Sequence, residues 1–123
     1  MVNGMEQCLL TPEPRYEARI AIFNGPNRDR LITNYSVNLS TGGVFIETTD
    51  ILPLDTLLMI KFKIPPYESI ITCNARVAWT NEPGNLRKFS LPPGMGLQFM
   101  DLSLKDLHAI REYLNTGKLV PAW

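Results

Sequence analysis

Between Leu31 and Ser40 apolar and polar residues alternate, so Leu31, Thr33, Tyr35, Val37 and Leu39 share one face and Ile32, Asn34, Ser36, Asn38 and Ser40 the other. The period of two predicts a β-strand. It ends at Thr41-Gly42-Gly43, after which a second apolar run, Val44-Phe45-Ile46, begins. A short strand over Ile20–Phe23 precedes it and is ended by Asn24-Gly25-Pro26-Asn27. Further strands are predicted over Thr56–Ile64, Ser69–Thr80 and Gly94–Phe99. In the first of these, Leu58, Ile60, Phe62 and Ile64 oppose Lys61 and Lys63, and Pro65-Pro66 stops the run; in the second, Ile71, Cys73, Ala75, Val77 and Trp79 form one face. Met95, Leu97, Phe99 and Met100 are read as core, and Asn81–Pro93 as a polar loop. Six short strands separated by turn signals predict an antiparallel barrel or sandwich.

The period lengthens after Asp101. Leu104, Leu107, Ile110 and Leu114 make a stripe at helical spacing, Ser103 is a suitable N-cap with Asp106 three residues on, and Asn115-Thr116-Gly117 supplies the stop. A helix this short is unstable alone, so it is expected to dock on the sheet, on a barrel mouth or on another subunit. The fold class is therefore all-β with one helix.

A length of 123 residues fits one domain with its own core. The expected organisation is a flexible lead-in over 1–13, a domain over 14–116 and a C-terminal tail over 117–123, with Trp123 either an anchor or unstructured. Lys+Arg and Asp+Glu balance at 12 each, which argues against a nucleic-acid polymer held by a broad basic surface. A small anion gripped by two or three local arginines stays open. Cys8 and Cys73 suggest no disulfide; Cys73 reads as a small buried hydrophobe, and the usage suits a reducing cytoplasm. No apolar stretch approaches the ~20 residues needed to cross a bilayer, and no secretory leader is evident. The sole histidine, His108, lies on the helix flank. Metal-ligand spacing, a Walker-type loop and a nucleophile–base pair are all missing from the sequence, so no catalytic residue, metal or cofactor is expected.

The chemistry concentrates in two places. Arg15 and Arg19, four apart, enter the first strand. In an extended segment their Cα atoms would lie roughly 13 Å apart and clamp opposite sides of a ligand; in a turn they would converge. An arginine fork can pair bidentately with phosphate or with the O6/N7 edge of guanine. Asn38 and Ser40 leave the second strand on one side, Asn38 offering a donor and an acceptor on adjacent atoms. Gly42 and Gly43 allow positive φ and let a partner approach bare backbone. Taken singly, the arginines also read as solvated side chains and the polar pair as an Asx or Ser turn. An antiparallel neighbour would bring the two together.

These residues resemble the PilZ domains, bacterial receptors for cyclic di-GMP. The family's two signatures read here as Arg15-Tyr-Glu-Ala-Arg19 and Asn38-Leu-Ser40-Thr-Gly-Gly43. Weaker similarity continues through Ala75–Trp79, Gly94–Phe99 and the terminal helix, so the resemblance runs from about Pro14 to Leu114. It implies a six-stranded antiparallel β-barrel closed by a C-terminal α-helix, with the ligand on the outer surface and no catalysis. By that likeness Arg15 and Arg19 would grip phosphates and guanine edges, and Asn38 and Ser40 would hydrogen-bond guanine. Gly43, with Gly42 beside it, would leave the ligand room. The arginine segment would act as a switch that reports to a protein partner, in the cytoplasm of a bacterium and in the control of motility or biofilm. Pro14 stands where many members carry a further arginine, and Asn38 is an accepted variant of the commoner Asp; one ligand molecule or a stacked pair would fit such a site. Two other readings are kept: a PilZ-like interaction module that binds no nucleotide, and an oligonucleotide-binding small barrel. The last lacks a basic face rich in aromatics, with only Tyr35, Tyr67 and a few others available to stack. Monomer and dimer both remain open.

Overall fold

The computed structural model describes residues 14–65, 69–116 and 118–122; the lead-in over 1–13 with Cys8, and Pro66, Tyr67, Glu68, Gly117 and Trp123, lie outside the described residues. The strands are β1 (Tyr16–Glu17), β2 (Ala21–Gly25), β3 (Ile32–Leu39), β4 (Gly43–Glu47), β5 (Leu57–Ile64), β6 (Ser69–Asn81) and β7 (Gly94–Phe99), followed by helix α1 (Leu104–Leu114). All pairings are antiparallel. The order β3-β2-β5-β6-β7-β4 closes on itself because β4 also pairs with β3, giving a six-stranded barrel. β1 is a two-residue addition, cut from the arginine segment and laid against the far end of β3.

Where the alternation is unbroken, it sorts side chains as the pleat requires. Leu58, Ile60, Phe62 and Ile64 of β5 are buried with Ile71, Cys73, Ala75 and Val77 of β6, while Lys61 and Lys63 face out. Val44, Ile46, Met95 and Leu97 fill the other wall, and Phe99 packs on Phe62 with ring centroids 5.9 Å apart. Met100, expected inside, is half exposed, because it lies one residue past the end of β7. Ser103 caps α1, its Oγ accepting from the Asp106 amide at 3.1 Å. The apolar stripe is buried progressively along the helix: Leu104 in the first turn is 75% exposed, whereas Ile110 and Leu114 are enclosed against the barrel. The buried Cys73 thiol is pushed up to about 12, first by desolvation and then by the nearby charges of Asp101 and Asp106. No helix among the described residues is long and apolar enough to cross a membrane.

The alternation predicted for β3 breaks at one point. Tyr35 pairs with Glu47 and Ser36 with Ile46, but the next partners are Asn38 with Phe45 and Leu39 with Val44, which leaves Val37 as an extra residue. This bulge advances the pleat by one position. Leu39 therefore enters the core with Ser36, while Thr33 and Tyr35, placed on its face by the sequence, stay exposed. Asn38 is turned out of the barrel, toward the segment that carries the arginines.

Candidate functional site

The bulge is answered in the neighbouring segment. β1 and β2 are separated by Ala18–Ile20, and the Ser36 hydroxyl fills the resulting gap in the ladder, accepting from Ile20 N at 2.8 Å and donating to the Ala18 carbonyl. Upstream of that gap, Tyr16 pairs with Leu39 and Glu17 with Asn38. The C-terminal residues hold the other edge of β1: Glu17 N donates to the Val120 carbonyl at 2.7 Å and Ala122 N to the Arg15 carbonyl at 2.9 Å. Arg15–Glu17 is thus bonded on both sides by backbone, through a tail that no side-chain pattern in the sequence betrays.

So placed, Arg15 lies on the polar end of β3. Its Nε donates to Asn38 Oδ1 at 2.6 Å, Nη1 to Ser40 Oγ at 3.1 Å and Nη2 to the Gly43 carbonyl at 3.4 Å. Burial lowers its pKa below the ordinary guanidinium value. Asn38 is a neutral acceptor, so the contact orients the guanidinium without cancelling its charge. Ser40 is itself pinned, accepting from the Gly42 and Gly43 amides at 3.1 and 3.2 Å. Here the glycines differ from the expectation. Neither has positive φ, and a Cβ on Gly43 would lie 2.2 Å from the Leu97 carbonyl. The bare backbone at Gly43 is required by the close approach of β7, before any ligand is considered. Gly42 is exposed beside it.

Arg19 goes elsewhere. It is exposed, its guanidinium carbon standing 4.6 Å over the ring centroid of Tyr35. Of the two geometries open to the pair, the structure shows the divergent one. Asn38 lies between them and lines two clefts. One, of about 780 Å³, is bordered by Arg19, Glu17, Glu47 and Pro92; the other, of about 500 Å³, by Arg15, Phe45, Trp79, Arg87 and Lys88. Gly42 and Gly43 border a separate hollow with Arg15 and Ser40. Among the described residues no three His, Cys, Asp or Glu side chains are grouped to hold a metal ion.

Sequence reasoning missed part of this wall. Trp79, read as a barrel residue, is half-buried on the outside and stacks on Phe45 with centroids 5.0 Å apart and planes 27° apart. Its indole lies over Gly96, where a Cβ would come within 2.0 Å of Nε1. Arg87 and Lys88 stood in a loop noted only as polar; two adjacent cations between Pro83-Gly84 and Pro92-Pro93 were the one available signal.

Comparison with known proteins agrees with this architecture. The family model described as the PilZ domain matches residues 12–116. No curated protein sequence matches the chain. Among solved structures, that of the Bacillus subtilis inhibitor of motility (MotI/DgrA) is similar at 21% identity and a TM-score of 0.67, covering 88% of this chain and 53% of that one. The chain therefore spans about half the length of that structure, and the likeness is one of fold. With the family match running across nearly the whole barrel and its helix, the chain belongs to the PilZ domain family.

Proposed function

We propose that the protein is a non-enzymatic receptor for cyclic di-GMP that signals to a protein partner through its arginine segment. The observation that carries this is the docking of Arg15 on Asn38 and Ser40, which presents a charged guanidinium beside an amide at the border of two clefts. An arginine fork suits both the phosphates and the Hoogsteen edge of guanine, and an amide suits the base edge. Arg19, held only by an exposed ring, is free to leave Tyr35 and close on the ligand from the other side of Asn38. Because Arg15–Glu17 is tied by backbone to the C-terminal residues, a shift of the segment also moves the tail. That is a route by which occupancy reaches a partner.

Isothermal titration with cyclic di-GMP tests the proposal. Saturable binding is expected, with Arg15→Ala and Arg19→Ala each abolishing it, and the stoichiometry distinguishes one bound molecule from a stacked pair. Unimpaired binding in both variants would falsify the site assignment. A silent titration together with a protein partner that needs the α1 face would favour the nucleotide-independent interaction module instead.

A further inference from the structure

We infer that the loop joining β6 to β7 is a third part of the nucleotide site, with Arg87 and Lys88 binding phosphate oxygens across the smaller cleft from Arg15. The inference rests on the cyclic di-GMP reading and extends it to residues outside both signature motifs.

The loop is built, not slack. Asn81, the last residue of β6, is fully buried, and its side chain is spent entirely on the loop. Its Oδ1 accepts from the Arg87 and Lys88 amides at 2.8 and 2.9 Å. Its Nδ2 donates to the carbonyls of Lys88, Leu91 and Pro92 at 3.0, 3.2 and 3.0 Å. A buried amide whose polar atoms are all engaged in this way fixes a single backbone path. The two residues whose amides it clasps are the two cations, and both line the cleft.

Charge distinguishes this cleft from its neighbour. Among the described residues, Arg15, Arg87 and Lys88 border the smaller cleft and no acidic side chain does, whereas the larger one carries Glu17 and Glu47 beside Arg19. The only ion pair among the described residues is Arg76 with Asp55, so Arg87 and Lys88 are paired with no described carboxylate. Three like charges around one opening repel each other and attract an anion, and the stacked Phe45–Trp79 pair gives the same opening an aromatic wall. A flat base attached to phosphates matches that combination, and a neutral or purely apolar ligand does not. Asn81 acts as the positioning residue for the two cations.

The test is titration of the full chain with cyclic di-GMP at two or more salt concentrations, comparing wild type, R87Q/K88Q, R87K/K88R and R15A. Both cations are exposed, so the glutamine pair leaves folding intact. Loss of two charge-assisted contacts should weaken binding by about 10- to 100-fold and flatten its salt dependence, while R87K/K88R stays within a few-fold of wild type. If R87Q/K88Q binds like wild type while R15A does not bind, this inference is overturned and the receptor reading stands. If wild type itself fails to bind, both fall.

Discussion

Arg15 and Arg19 are the same residue type, four positions apart on one segment, yet they are held by different physics. Arg15 is partly buried and spreads its fork over three oxygen acceptors, on a piece of chain bonded to β3 on one edge and to the C-terminal residues on the other. Arg19 is exposed and rests on the face of Tyr35. The boundary between the held and the loosely held parts of the candidate site therefore falls within the segment, not between the barrel and the segment. On the proposed receptor reading, one arginine would be oriented before ligand arrives, lowering the ordering cost of binding, and the other would carry that cost.

The largest effect should come from removing the surface on which Arg15 lies. Gly43→Ala places a Cβ against the Leu97 carbonyl inside the β4–β7 ladder, where neither backbone can give way without losing pairing. A loss of about 2–3 kcal/mol is expected, a fall in Tm of roughly 10 °C by calorimetry. The Arg19–Tyr35 contact lies on the opposite side of the bulge and should persist. A G43A protein that melts like wild type would mean that β4 and β7 are looser than the register implies.

Separating the two arginines directly should give an intermediate and a small effect. Arg15→Ala withdraws a charged donor from Asn38, Ser40 and the Gly43 carbonyl at once, for about 1–3 kcal/mol. Arg19→Ala removes one exposed cation–π contact, for about 0.5–1 kcal/mol. Denaturant melts of the two variants, made without ligand, measure the difference. Equal losses would erase the distinction drawn between them.

How much of this was readable beforehand follows from where the constraints lie. β5 and the first part of β6 were legible because they pair in unbroken register, so burial and alternation coincide as far as Val77; beyond it the β6–β7 register shifts and Trp79 leaves its predicted face. Both signature motifs were legible as residue types at fixed spacing. The Val37 bulge was not, since it arises where β3 must serve β2, β4 and β1 together. The need for glycine at Gly43 was visible, but the positive φ expected there is not found; the neighbouring strand already requires the bare backbone. Arg87 and Lys88 depend on a buried amide six and seven residues away, and the tail on backbone bonds that carry no side-chain code.

The most local effect should come from the tail. Deleting residues from Lys118 onward removes the two backbone bonds to Arg15 and Glu17 but leaves Ile20, whose amide and carbonyl are both bonded to Ser36. A net loss of about 1–2 kcal/mol is expected from two such bonds. Trypsin reads the consequence residue by residue, because it cuts after each arginine. In the truncated protein cleavage after Arg15 should accelerate, while cleavage after Arg19 should keep its wild-type rate, the peptide to Ile20 being clamped by the Ser36 hydroxyl. Cyclic di-GMP should then restore protection at Arg15, since its phosphates would replace the tail in holding that end against Asn38. Equal acceleration at both sites would show that the segment lifts as one unit, and would move the boundary between its fixed and adjustable parts back to the barrel surface.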